Sequence, residues 1–304
     1  MAEAELRDLR LEETAEVARV GHRLALGVQW IDALTQLPVE SPAGAAWLSD
    51  LEAIGTRPLA QRFEAHSQGR QAIRHAGRYR KLLDHTVAEA DSLEHAVRAF
   101  GAREARLAAY AIGQDPRRYV PRRVAFTPVL ASGVPPASIV NTRTAWLWPG
   151  AAYTLPGRST GLRGRIRREV SPGVNATVPW ARVIATRAGA GPANFNTEAQ
   201  IGWAHGDDRG EFLLVLGNSA VSGAADLPAA LNLNVWVFLP PALPAFNAAD
   251  PLASLPLDNA GTAVLNDVLK GLAVPPTYLP QAVRSLSLTL GEVRAMSDAD
   301  LLFV

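Results

Sequence analysis

Apolar residues fall along this chain in short runs, cut by proline and glycine before they reach helical length, and that punctuation predicts strands. The clearest are Leu24 to Ile31 (LALGVQWI), Val183 to Thr186 with its flanks (WARVIATR), Glu211 to Leu216 (EFLLVL), Leu233 to Leu239 (LNVWVFL) and Leu286 to Leu290 (LSLTL). Several are apolar at successive positions, as expected of a strand covered on both faces. Two segments carry a helical period instead. From Asp258 to Gly271, Val264, Leu265, Val268 and Leu269 share one face, with Asp258 placed as N-cap and Gly271 as C-cap. Asp91 to Gly101 repeats the logic, with Ser92 capping and Leu93, Val97 and Phe100 in register, but it is short enough for β pairing to override.

The 22 prolines and 24 glycines are scattered, and the sharpest break is Ala131 to Pro136 (ASGVPP). It divides the chain into an N-terminal β-sandwich-like domain at 1–130, a linker at 131–136 and a C-terminal β-sandwich at 137–304, with the short helix near 258–271. The halves echo each other: IDALTQLPV (Ile31 to Val39) before Gly69, and RIRREVSPGVNATVPWARV (Arg165 to Val183) before Gly210. The fold class expected is mainly β, tandem antiparallel sandwiches with one or two short helices.

Composition narrows the partners. The 304 residues are 48% apolar and carry a net charge of +1, enough core for a globular protein and no one-sided field for nucleic acid or anionic lipid. Cysteine is absent, which removes disulfides, thiolate metal sites and cysteine nucleophiles. The acidic start MAEAELRDLRLEETAEV is unlike a secretory signal, and the most apolar window, Leu231 to Phe246, is too short and too interrupted to span a bilayer. A cytoplasmic protein with no membrane segment is the expectation. The triplet Asn175-Ala-Thr177 would then never meet glycosylation machinery.

Candidate chemistry is sparse. AHGDDRGEFLLVLG (Ala204 to Gly217) crowds His205, Asp207, Asp208 and Arg209, yet it reads as a hairpin: a strand to His205, a Gly-Asp-Asp-Arg turn, Gly210 in the left-handed region and a new strand from Glu211. Gly157-Arg-Ser-Thr-Gly161 matches the nucleophile-elbow spacing of serine hydrolases but leads into a strand rather than a helix, and no aspartate lies between Ser159 and His205. The histidines His22, His66, His75, His85, His95 and His205 never take metal-ligand spacing and default to the surface. No catalytic residue, cofactor or metal is expected. Only Lys81 and Lys270 are lysine, and neither is placed for a lysine–asparagine crosslink.

Leu162 to Ile166 (LRGRI), Val178 to Val183 (VPWARV) and Asp207 to Leu214 (DDRGEFLL) together resemble the carboxypeptidase-regulatory-like, or transthyretin-like, β-sandwich domains. That resemblance implies an antiparallel, non-catalytic sandwich. The wider layout is similar to β-sandwich accessory proteins of contractile, phage-tail-like injection particles, which implies a structural cap, adaptor or baseplate subunit whose partners are other subunits or copies of itself. Its expected interface is Arg117, Arg118, Tyr119, Arg122 and Arg123 together with Leu301, Leu302, Phe303 and Val304, the latter four being equally readable as the last strand of their own domain. Two alternatives stand beside it. A carbohydrate-binding accessory module would use the pairs Trp146/Trp148 and Trp180/Trp203, and a serine hydrolase would use Ser159.

Overall fold

The apolar runs become strands because their leucine, valine and aromatic side chains can be buried on both sides of a pleated sheet. The computed structural model describes residues 26–39, 45–54, 57–62, 64–65, 70–73, 105–110, 118–126, 142–188, 195, 198–217, 229–241, 255–258 and 265–303. In chain order the strands of the first half are β1 (Leu26–Asp32), β2 (Ala45–Ile54), β3 (Arg57–Arg62), β4 (Glu64–Ala65), β5 (Arg70–Ile73), β6 (Ala105–Tyr110), β7 (Tyr119–Val120) and β8 (Arg122–Phe126). The second half supplies β9 (Thr142–Pro149), β10 (Gly161–Arg165), β11 (Arg167–Ser171), β12 (Val174–Thr177), β13 (Arg182–Arg187), β14 (Gln200–His205), β15 (Glu211–Leu216), β16 (Ala230–Leu239), β17 (Leu257–Asp258), β18 (Leu279–Thr289), β19 (Val293–Ala295) and β20 (Leu302–Phe303). A helix, α1 (Leu265–Lys270), lies between β17 and β18.

These strands form a seven-stranded sheet ordered β18-β16-β13-β14-β15-β10-β19, two five-stranded sheets ordered β4-β5-β1-β9-β7 and β17-β8-β6-β2-β3, and a three-stranded sheet ordered β12-β11-β20. The protein is mainly β, and most ladders are antiparallel. Parallel pairs join β1 to β9, β10 to β19, β11 to β20 and β17 to β8. Two of them join residues from opposite sides of the 131–136 break, β9 running beside β1 and β17 beside β8.

Strand β13 shows why its sequence lacks polar alternation. Its residues Arg182 to Thr186 are all buried. On one face Val183 and Ala185 join Leu162, Phe212, Leu214 and Val235 in a core that Met296, Leu301 and Phe303 close. On the other, Ile184, Trp203 and Phe238 meet Trp148 of β9 and Tyr278, so the β9 sheet packs across the outer face and completes a sandwich. Burying one such large apolar side chain stabilises by about 1.5–3 kcal/mol.

The β14–β15 connection has the expected geometry. Asp207 N–H donates to Glu211 O at 2.9 Å, Gly210 N–H donates to Asp207 O at 3.1 Å, and Gly210 has φ of 73°. A side chain at Gly210 would also meet the carbonyls of Ile166 and Val178 at 2.9 Å. Only glycine satisfies both demands.

Three expectations need correction or limits. The helix expected over 258–271 ends as read, with Gly271 at φ 74°, but Asp258 is a strand residue rather than its N-cap. Its carboxylate binds two arginine side chains, a tertiary demand that overrides a local cap. The segment 91–101 lies outside the described residues, as do Arg117, Val304 and every histidine except His205.

Candidate functional site

Arginines in a strand that is covered on both faces must bring their own acceptors. Arg122 on β8 and Arg182 on β13 grip the same carboxylate, Asp258 on β17. Arg122 Nη2 lies 3.1 Å from Oδ2 and Arg182 Nη2 lies 2.6 Å from Oδ1, with each of the three side chains only 4% exposed. Two guanidiniums against one carboxylate leave an excess positive charge, and carbonyl oxygens surround it. Arg122 donates to Trp146 O, Leu269 O and Val268 O, and Arg182 donates to Trp180 O. The Arg182 guanidinium also lies over the Tyr278 ring at 5.1 Å. Burial lowers the ionisation of Arg122, assisted by Arg182. At Arg182 burial is outweighed by Asp258 and Tyr278, which hold its ionisation above the ordinary value.

The C-terminus of α1 is gathered into the same centre. Its last carbonyls have no partners within the helix. Arg122 takes those of Val268 and Leu269, Trp148 Nε1–H donates to Lys270 O at 2.8 Å, and His205 Nε2 sits 3.0 Å from Gly271 O. Gly271 is required twice over, by its left-handed backbone and because a Cβ there would reach His205 Nε2 at 2.9 Å. Because a carbonyl can only accept, Nε2 carries the imidazole proton, and buried Nδ1 has no partner among the described residues. The ring is 0% exposed and stacks on Trp148 with centroids 5.0 Å apart. Burial, then the charges of Arg182 and Arg122, hold the His205 pKa well below the ordinary imidazole value. The expectation of a surface histidine is therefore corrected, because β14 is covered on both faces.

A second polar centre surrounds Asp32 at the end of β1. Its Oδ1 accepts from the amides of Leu34 and Thr35, and Oδ2 accepts from Tyr119 Oη at 2.8 Å and Tyr153 Oη at 2.6 Å. Burial raises the Asp32 pKa, but those four donors outweigh it and the net direction is downward. Burial and the carboxylate together push Tyr119 up to about 12. This carboxylate is fully occupied and anchors the turn that follows β1.

The candidate chemical residues are likewise committed. Ser159 Oγ donates to Pro156 O at 2.8 Å, which closes its own turn. Asp207 Oδ1 accepts from the amides of Arg209 and Glu211. Among the described residues, no cluster of three or more histidine, aspartate or glutamate side chains could hold a metal ion, and no helix is long and apolar enough to cross a membrane.

The expected interface is largely interior. Arg122 and Arg123 are each 5% exposed, and Tyr119, Leu301 and Phe303 are buried. Leu302 is half-buried and Arg118 is exposed. The physical reason is pairing: β8 lies between β6 and β17, and β20 lies along β11. Leu302 and Phe303 thus follow the alternative reading of a last strand, with Leu301 in the turn before it. Trp148, Trp180 and Trp203 are buried as well, so those aromatic pairs do not form an open stacking face. The buried Arg122–Asp258–Arg182–His205 centre had no local signal, since Asp258 lies 136 residues from Arg122 and 76 from Arg182, and His205 lies 66 from Gly271.

No family model matches the chain, and no curated relative matches it. Among solved structures, the Bacillus anthracis TIE protein aligns at 10% identity over 90% of this chain and 32% of its own, with a TM-score of 0.21. This chain thus spans about a third of that protein's length. GBS52, the minor pilin of the Gram-positive pathogen Streptococcus agalactiae, aligns at 6% identity over 90% of this chain and 93% of its own, with a TM-score of 0.22. The SpaE basal pilin of Lactobacillus rhamnosus GG aligns at 11% identity over 71% and 83%, with a TM-score of 0.21. TM-scores of this size do not establish a common architecture.

Proposed function

We propose that this protein is a non-enzymatic structural subunit that works by binding other protein subunits or further copies of itself. The observation that carries this reading is the β11–β12 hairpin. Val170 and Val174 on it are 60% and 55% exposed, and β12 pairs only with β11 among the described residues. A strand edge with open backbone groups and exposed valines is a template for pairing with another chain. The internal commitments of Ser159, His205 and Asp207 support a scaffold rather than a hydrolase. The burial of Trp148, Trp180 and Trp203 favours the structural reading over sugar stacking. The setting we propose is a cap, adaptor or baseplate position in a contractile, phage-tail-like injection particle assembled in the cytoplasm.

Sedimentation velocity across a concentration series, with electron microscopy in the presence of tube-like particles, tests the proposal. Wild-type protein should self-associate or decorate a particle end. Val170→Ser/Val174→Ser should lose that association with an unchanged melting temperature, because both side chains are exposed. A strict monomer that joins no particle, or assembly indifferent to both substitutions, refutes it.

A further inference from the structure

A cleft of about 1110 Å³ opens beside the Asp32 turn. Its walls are the turn after β1 (33–36), the loop that carries Ser159 (156–160), the start of β14, the end of β15, and Leu272 and Gly291. Leu34, Leu216, Leu272 and Leu290 are half-buried in it and give an apolar floor. Gln36, Thr160 and Gln200 supply neutral polar groups. Arg158 is the one charged side chain among the described lining residues, and it is exposed. It makes no ion pair with another described residue.

The backbone marks the same place. Gln36 and Arg158, on different walls, have φ of 58° and 65°, and they are two of the three non-glycine residues with positive φ among those described. A left-handed backbone is unfavourable for residues with a Cβ and persists where surrounding structure enforces it, ligand clamps among such places. Neither residue is glycine, although glycine would hold those turns without strain. What these side chains offer the cleft is an amide and a guanidinium.

We propose that this cleft binds a small amphipathic organic carboxylate, with the carboxylate held by the Arg158 guanidinium and the apolar body resting on Leu34, Leu216 and Leu272. An arginine fork matches a carboxylate in two parallel hydrogen bonds. A single cation, with no acid among the described lining residues, suits one negative charge, whereas a phosphate dianion calls for more donors. The volume lies just above the roughly 300–1,000 Å³ of small-molecule sites, leaving room for the ligand and water. This site goes beyond the assembly reading and stands independently of it.

Isothermal titration calorimetry with a matched pair, naphthalene-2-carboxylate and naphthalene-2-carboxamide, tests the assignment on the whole protein. The carboxylate should bind at least about tenfold tighter than the amide, the scale of one charge-assisted contact. Arg158→Gln should bring the carboxylate down to the affinity of the amide and leave the amide unchanged, with an unaltered melting temperature. Arg158→Gly, which relaxes the left-handed backbone, serves as a second variant and should show the same loss. Equal affinities in the wild-type protein, discrimination that survives both substitutions, or no binding of the carboxylate at millimolar concentration overturns the proposal.

Discussion

Asp258→Ala tests the buried ionic centre most directly. The substitution removes the shared counter-charge from Arg122 and Arg182, whose side chains are each only 4% exposed. Breaking a buried ion pair from one side costs about 3–5 kcal/mol, because the remaining charge stays desolvated. Two cations are orphaned here, but neither loses every partner. Arg122 keeps the carbonyls of Trp146, Val268 and Leu269, and Arg182 keeps Trp180 O and the Tyr278 ring. The expected loss therefore stays near one broken pair, about 3–5 kcal/mol, against a typical total of about 5–15 kcal/mol. With a urea slope of about 3 kcal/mol per molar, the unfolding midpoint falls by about 1–1.7 M. Tryptophan fluorescence reports the transition, since Trp148 and Trp180 adjoin the centre. Arg122→Met added to Asp258→Ala should recover part of the loss by removing one orphaned cation. A loss below about 1 kcal/mol, the range of exposed pairs, or strictly additive losses in the double variant, would refute this account.

Two further outcomes follow from the same geometry. His205 stays neutral in the fold while an unfolded imidazole ionises near about 6.5, so the unfolded state binds more protons below that pH; stability is complete above it and falls as pH drops, by up to about 1.4 kcal/mol per unit. Melting temperatures at pH 7.5 and pH 5 should diverge in the wild type and less so in His205→Gln, and identical slopes would count against a buried neutral ring. At the β14–β15 turn, Asp207→Ala removes the acceptor of two backbone amides and should cost about 1–3 kcal/mol, whereas Asp208→Asn, at a side chain 70% exposed, should stay within about 0.5 kcal/mol; a Asp208→Asn loss as large as that of Asp207→Ala would contradict the turn geometry.

Local chemistry was legible in the amino-acid order. The run Glu211–Leu216 is a strand with the bounds its residues imply, the Asp207–Gly210 turn closes as its composition requires, and Gly271 ends α1. Each of these rests on interactions between neighbours a few residues apart, where backbone conformation and side-chain type suffice. The mainly β architecture followed from the same signals, because runs apolar on both faces need cover on both sides. What the sequence could not state was which strands meet. Pairing β9 with β1 and β17 with β8 brings Asp258 within reach of Arg122, 136 residues away, and of Arg182, 76 residues away. An arginine reads alike whether it faces water or a buried carboxylate, so the segment around Arg122 looked like a surface and became a core. His205 and Asp258 share that ambiguity: a local reading makes one a surface ring and the other a helix cap. Tertiary pairing decided otherwise, because a buried charge or ring nitrogen is tolerated only where distant strands deliver its partners, and no short-range pattern records where they will come from.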